Sequence, residues 1–289
     1  MEQNTPEWLE FRRNKIGASD APAIMGESPW DTPYQLWEKK IYNKPAEQNR
    51  AMARGTALEP AARSVFEKMT GLHVMPKVMV HPERDWQMAS LDGITFDGSI
   101  IVEIKCPTNM DIHEIAVNGK IPDHYKSQVQ HQLIVSGALK AIYFSFDGEK
   151  GVIVETSIEA DRASMIIEKE EAFYKCMQTL EPPKMMEKDY AIREDFEWNL
   201  IADEWMQIGK SLKDIEEREE ILRKKLIAMA GDHNTIGGGI QMTRFPSKGR
   251  VDYDAIPELK GINLDQYRKP ACQKWRISAC KPKDLNDTT

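Results

Sequence analysis

WQMASLDGITFDGSIIVEIKC, residues 86–106, reads as two strands, Trp86–Phe96 and Ser99–Cys106, joined around Asp97-Gly98. An Asp-Gly pair is a strong hairpin signal, because both central positions of a type I′ turn need φ > 0. A two-residue turn there sets a constant index sum across the hairpin. Phe96 then faces Ser99, Thr95 faces Ile100 and Asp92 faces Glu103. Two carboxylates opposite each other on adjacent strands are unfavourable by themselves, and half-burial on a sheet also removes hydration. A divalent cation between them resolves both problems. Glu103 and Lys105, two apart, share the face bearing Asp92, while Val102 and Ile104 point to the other side. A hard cation such as Mg²⁺ takes oxygen ligands and keeps several waters, so two carboxylates, a backbone carbonyl and water suit it. Such an ion lowers the pKa of a bound water, and Lys105 is placed to orient that water or to stabilise charge developing on a phosphate. An isolated Glu-x-Lys would be an ordinary salt bridge; the two Asp-Gly steps and the apolar strand around it point to a metal site.

Working outward, Thr5–Lys15 reads as a short helix with Pro6 in its first turn. Ser19 or Asp20 caps a brief helix through Met25 that stops at Gly26, and Thr32-Pro33 opens another. Thr56 begins a helix to about Thr70, with Thr56 and Glu59 at capping-box spacing. The strand His73–Val80 precedes the hairpin. Pro122 opens a helix with Val129, Leu133 and Ile134 at helical spacing, closed by Gly137. Ala141–Phe146 and Gly151–Thr156 are two further strands. Helix, three strands, helix, two strands is an α/β layer order.

After Ser157 the character changes. Ile158–Leu180 is helical, Pro182-Pro183 breaks it, and a long helix runs from about Phe196 to Ala230. Its apolar residues, from Ile201 and Trp205 to Leu226 and Met229, alternate by fours and threes, with Glu219 interrupting the seam. A helical hairpin packed on itself or on the core is the expected reading over a coiled-coil dimer. Gly237-Gly238-Gly239 reads as a flexible break. The organisation expected is residues 1–157 as the core, 158–235 as a helical extension and 236–289 as a basic end. Residues 244–283 hold ten Lys/Arg against four Asp/Glu, although the 289-residue chain carries a net charge of −7. That balance argues against a protein coating nucleic acid through bulk positive charge, but a carboxylate-rich metal site is compatible with it. Four scattered cysteines (Cys106, Cys176, Cys272, Cys280) form no CxxC pair, which fits a reducing cytoplasm. No apolar run is long enough to span a membrane, and the first residues lack the pattern of a signal peptide.

SLDG (residues 90–93) with VEIK (residues 102–105) resembles the PD-(D/E)xK nuclease motif. Its neighbours narrow the resemblance to the lambda exonuclease/YqaJ-type viral recombinase family. WLEFRRNKIGASDAPAIMG (residues 8–26) is similar to that family's N-terminal W-x3-R-x6-S motif. RGTALEP (residues 54–60) is similar to its helix bearing an active-site Glu, and HYKSQVQHQLIVSG (residues 124–137) to its Gln-containing helix. The four motifs stand in the family's order over residues 5–157. Leu91 stands where the family's Pro precedes the Asp, a position that performs no chemistry. The resemblance implies a restriction-endonuclease-like core, a central mixed sheet flanked by helices. It implies Asp92 and Glu103 as metal ligands, joined by the Ile104 carbonyl and, directly or through water, by Glu59. Lys105 is then the catalytic lysine and Gln128 orders the nucleophile, with Tyr125 nearby. Arg12, Ser19 and Ser90 match positions that hold the 5′-phosphate of a DNA end. The implied activity is a Mg²⁺-dependent 5′→3′ exonuclease on linear duplex DNA, with Mn²⁺ as a substitute ion. Its 3′ overhangs would serve phage recombination, from a homotrimeric ring working beside a single-strand annealing protein. The alternatives are an endonuclease of the same fold and a non-catalytic DNA-end-binding protein. Iron–sulfur relatives are disfavoured, because Cys272 and Cys280 lack two further cysteines at suitable spacing.

Overall fold

A computed structural model describes residues 5–43, 50–262, 264–269, 272 and 277–278. Cys280 and the end of the basic segment lie outside the described residues. Two units divide the chain, Met1–Ala191 and Ile192–Thr289.

The first unit is built on a mixed sheet. Its strands are β1 (Ile16–Gly17), β2 (Val74–Val80), β3 (Gln87–Thr95), β4 (Ile100–Lys105), β5 (Lys140–Phe146) and β6 (Gly151–Thr156), with β1-β3-β4-β5-β6 as the path and β2 paired to β3. β4 and β5 are parallel; β3–β4, β5–β6 and β2–β3 are antiparallel. The α/β expectation therefore holds, with helices on both faces. On one face lies α4 (Arg50–Thr70), whose Ala62 and Phe66 pack against Val102, Ile104, Ile142 and Phe144. On the other lies α6 (Asp123–Ser136), whose Val129 and Leu133 pack against Ala89, Leu91, Ile101 and Tyr143. The helix α5 (Met110–Val117) adds Ala116 to that second cluster.

A third cluster sits beyond the sheet. Ile16 joins Ala23 and Ile24 of α2 (Ala21–Met25), Leu36 and Trp37 of α3 (Pro33–Ile41), and Phe173 and Met177 of α7 (Ala160–Thr179). The capping expected at Thr32 is present, since its hydroxyl accepts from Gln35 N while Gln35 accepts from Thr32 N. The boundary expected at 157/158 is corrected: α7 is part of the first unit, because Ile166 and Phe173 face its core, and the division falls at 191/192. Two further corrections concern local signals. α4 starts at Arg50, so Thr56 lies inside the helix with its hydroxyl on Met52 O, and no capping box with Glu59 forms there. The Asp97-Gly98 turn is not type I′, since only Gly98 has positive φ (75°) and its N–H donates to Thr95 O. The link is a four-residue loop built on Phe96-Asp97.

In the second unit, α8 (Phe196–Ala230) is a single 35-residue helix with no buried residue. The expected helical hairpin packed on itself is corrected: the segment is one uninterrupted helix. Gly237–Gly239 is no flexible break either: β7 (Thr235–Gly237) and β8 (Ile240–Met242) pair across Gly238-Gly239, both with positive φ. Among the described residues, no helix is long and apolar enough to cross a membrane.

Candidate active site

The hairpin register is the expected one, with Gly93 opposite Val102 and Ile94 opposite Ile101. The pairing then stops one step before Asp92 and Glu103. Instead, Asp92 Oδ2 accepts from the Ile104 N–H at 2.8 Å, so a side chain takes the place of a ladder bond and the strands part. The cause is visible on the other edge of β3. Met75 pairs with Ile94 but Lys77 with Leu91, so Asp92 and Gly93 together oppose Pro76. Proline has no N–H to offer a ladder and is at home opposite a bulge. The bulge breaks the strand's alternation: Leu91 and Ile94 both enter the α6-side core, and Asp92 is re-aimed into the gap. Asp92 therefore does not stand directly across from Glu103 as a simple face-to-face pair.

Glu103 is nearly fully buried and heavily held. Its Oε1 accepts from Gln128 Nε2 at 2.5 Å and pairs with Lys105 Nζ at 2.5 Å, and its Oε2 accepts from Gln132 Nε2. Both glutamines come from α6, one helical turn apart, which places their side chains on one face. Burial pushes the Asp92 carboxyl well above the usual carboxylate range, and the neighbouring Glu103 charge pushes the same way. Burial works against the Lys105 charge, but Glu103 and Asp92 more than offset it and hold the ammonium above its ordinary value. Two carboxylates and one ammonium leave the site short of positive charge.

Glu59 is near enough for its charge to act on Asp92, but its carboxylate is paired with Arg63, whose Nε also donates to Asp92 O. Sequence reading missed both Arg63 and Gln132. Arg63 follows Glu59 at helical spacing, and Gln132 follows Gln128 likewise, so periodicity placed each pair on one helix face but did not show what stands opposite it.

Arg12, Ser19 and Ser90 are brought together around one ring. Arg12 Nη2 donates to Ser19 Oγ at 3.1 Å, its guanidinium lies 4.7 Å from the centre of the Trp8 ring, and Trp8 Nε1 donates to Ser90 Oγ at 3.1 Å. Arg12 also approaches the buried Asp20, at 3.6 Å. Burial disfavours the charge of Asp20, but Lys40 and Arg12 outweigh it and lower its pKa. Ser90 is two residues from Asp92 on β3, so this cluster and the carboxylates share one strand.

Tyr125 lies under Lys105, whose Nζ is 4.9 Å from its ring centre, and it leans on the buried Tyr143. Burial raises the Tyr125 pKa although Lys105 opposes it. The donor set suits a hard divalent cation: the carboxylate oxygens of Asp92 and Glu103, the latter group held by three donors shared between its two oxygens. Among the described residues no three His, Cys, Asp or Glu side chains converge into a ready-made ligand set. A metal here would therefore draw on Asp92, Glu103 and oxygen atoms that are not side-chain carboxylates.

Residues 7–139 match the YqaJ-like viral recombinase domain. A curated relative, the uncharacterized protein YqaJ of Bacillus subtilis, is 32% identical over 180 residues, covering 60% of this chain and 56% of the relative. The chain thus spans little more than half the length of that relative. Among solved structures, an alkaline exonuclease from Laribacter hongkongensis is similar at TM-score 0.55 and 26% identity, over 61% of this chain and 94% of that one. The same protein in complex with dAMP gives TM-score 0.55 and 27% identity over the same shares. The expected mixed sheet flanked by helices is borne out by the likeness to the alkaline exonuclease structure, and the resemblance carried by the motifs is matched over residues 7–139.

Proposed function

We propose that this chain, whose residues 7–139 carry a YqaJ-like viral recombinase domain, is a divalent-metal-dependent deoxyribonuclease. It digests one strand of linear duplex DNA from its 5′ end and leaves 3′ single strands for phage-type recombination. The observation that carries the reading is the buried Glu103, oriented by Lys105, Gln128 and Gln132 beside Asp92 where β3 and β4 part. The likeness to a protein named an alkaline exonuclease supports the same reading. That protein was also solved with dAMP, and a deoxynucleoside monophosphate is the unit that exonucleolytic cleavage of DNA releases.

Asp92, Glu103 and the Ile104 carbonyl would hold Mg²⁺ or Mn²⁺, with Glu59 reaching it through water while paired to Arg63. When bound, the ion supplies an acidified water and screens the phosphate from the carboxylates. Lys105 holds its proton and stabilises charge developing on the phosphoryl oxygens. Gln128 fixes the carboxylate that orients the attacking water, and the Tyr125 ring lies under the Lys105 ammonium. Arg12, Ser19 and Ser90 receive the terminal 5′-phosphate through a guanidinium and two hydroxyls. A homotrimeric ring around DNA and a single-strand annealing partner belong to this reading. In a ring, a few inward basic residues suffice for a chain of net charge −7.

The test is cleavage of linear duplex with Mg²⁺, with and without a 5′-phosphate, beside covalently closed circles. On linear duplex, the strand attacked from its 5′ end is expected to be released as mononucleotides, faster with the phosphate, leaving 3′ single strands, while circles survive. Equal cutting of circles would show an endonuclease. Asp92→Ala is expected to abolish cleavage while sparing DNA binding, and unchanged cleavage would sink the site assignment.

A further inference from the structure

Trp30 has no part in the core or in the site so far described, yet it is 63% exposed and stands beside that site. Its ring meets His124 edge-on at 5.2 Å and Tyr125 at 6.4 Å, and Tyr125 is the ring under Lys105. One aromatic ring therefore separates Trp30 from the lysine of the site. We propose that Trp30 is a stacking platform for a nucleobase at the DNA end whose backbone phosphate lies at Lys105. This inference rests on the nuclease reading and adds the residue that receives the base.

The loop that carries Trp30 is built to present the indole. Gly26 ends α2 in the left-handed conformation (φ 79°), and the next residue, Glu27, is tied to the body of the unit. Ser127 Oγ donates to Glu27 Oε2 and Arg162 Nη2 to Glu27 Oε1, both at 2.6 Å. Ser28 Oγ accepts from the N–H groups of Trp30 and Asp31 at 3.2 Å. Beyond the tip, Lys39 pairs with Asp31 at 2.6 Å and Thr32 caps α3. A large aromatic held on such a loop loses little conformational freedom when a ligand lies on it. The chemistry of the neighbourhood selects that ligand. A flat π-face one ring away from the Lys105 ammonium suits a base attached to a phosphate, and aromatic stacking accepts every base.

The test uses the full chain with a 5′-phosphorylated duplex carrying 2-aminopurine as its 5′-terminal base, in Ca²⁺ to suppress cleavage. The probe's fluorescence is expected to be quenched on binding the wild-type protein. Trp30→Ala should lose the quench and weaken end binding about tenfold, at the lower part of the range for one stacked base (~1.4 kcal/mol). Trp30→Phe should restore most of both. Equal quench and equal affinity in Trp30→Ala, with wild-type cleavage of linear DNA in Mg²⁺ intact, would overturn this proposal and leave the nuclease reading standing. So would loss of self-association in Trp30→Ala with unchanged DNA binding, which would make the ring a subunit contact. A wild-type protein that neither binds nor cleaves duplex DNA would overturn both.

Discussion

Glu103 shows how a buried carboxyl group is provided with partners. Taking it out of water is costly unless it is paired and hydrogen-bonded, and one ammonium and two amide groups supply that. The two glutamines are not interchangeable in position. Gln128 shares Oε1 with Lys105, whereas Gln132 holds Oε2 from a fully buried place. Gln132→Ala would leave that oxygen without its amide donor and free the carboxylate to turn. Such outer partners of a metal ligand are worth about 10–100-fold in metal affinity. We expect a rise of that size in the Mg²⁺ concentration needed for half-maximal cleavage, and a matching loss of calorimetric Mg²⁺ affinity. Gln132→Glu should be worse than Ala, because it adds a like charge beside Glu103. The grouping of Asp92, Glu103 and Lys105 was legible because residue types and spacing encode it. Gln132 and Arg63 were not, because an amide or a guanidinium becomes a site residue only through what the fold sets opposite it.

The strand β3 is the element on which the site depends, and its bulge is the feature that sequence reading did not reach. A constant index sum predicted the pairing of Gly93 with Val102, and a four-residue loop with the same centre as the expected two-residue turn preserved it. The bulge depends on β2, through Pro76, and no hairpin rule contains a third strand. Two other short elements, β1 and α5, escaped for a related reason: two residues or two helical turns carry too little periodicity to be read alone. Gly93 is where the bulge is vulnerable. A Cβ added there would stand 2.7 Å from Val74 Cγ2 and 3.0 Å from Val74 Cβ. Gly93→Ala is expected to destabilise the unit by about 1–3 kcal/mol, as overpacking does, read from urea unfolding. Adding Val74→Ala should recover part of that loss, and strictly additive effects would count against the clash. A second clamp holds β3 to α6 and α7. His131 Nδ1 meets Glu170 Oε1 at 2.7 Å, His131 Nε2 meets Met88 O, and Gln87 Nε2 donates to Glu170 Oε2 at 2.7 Å. Burial alone would lower the His131 pKa, but the charge and hydrogen bond of Glu170 raise it above 6.5. A histidine raised on folding contributes stability that is fully present below its unfolded pKa and is lost as pH rises through its folded one. The urea midpoint should therefore fall between about pH 6 and the raised folded value, and Glu170→Gln should flatten that slope. An unchanged slope in Glu170→Gln would assign the pH dependence to other groups.

At the scale of the molecule, the question is what the second unit contributes to the stability of the first. The three hydrophobic clusters lie wholly within Met1–Ala191, and the buried core residues of the described chain run from Trp8 to Met177. Every site residue named above also lies in that unit. α8 buries no residue, and its apolar seam was legible as a helix while its exposure was not. Periodicity specifies which residues share a face but says nothing of what covers them. Removing residues 192–289 takes no member from the three clusters, so the remaining fragment should fold on its own. We expect its urea unfolding to be cooperative, with a stability within about 1 kcal/mol of the same transition in the full chain. Its calorimetric Mg²⁺ affinity should be unchanged, since Asp92, Glu103, Gln128 and Gln132 all remain. DNA degradation is the property free to change, because the ten basic residues of 244–283 go with the deletion. If they neutralise phosphates, DNA affinity should fall and its salt dependence should become shallower, roughly in proportion to how many phosphates they had neutralised. A fragment that unfolds without cooperativity would show that the first unit needs the second for its fold. An intact fragment with an unchanged salt slope would show instead that the basic segment is solvated surface and that DNA is held by the first unit.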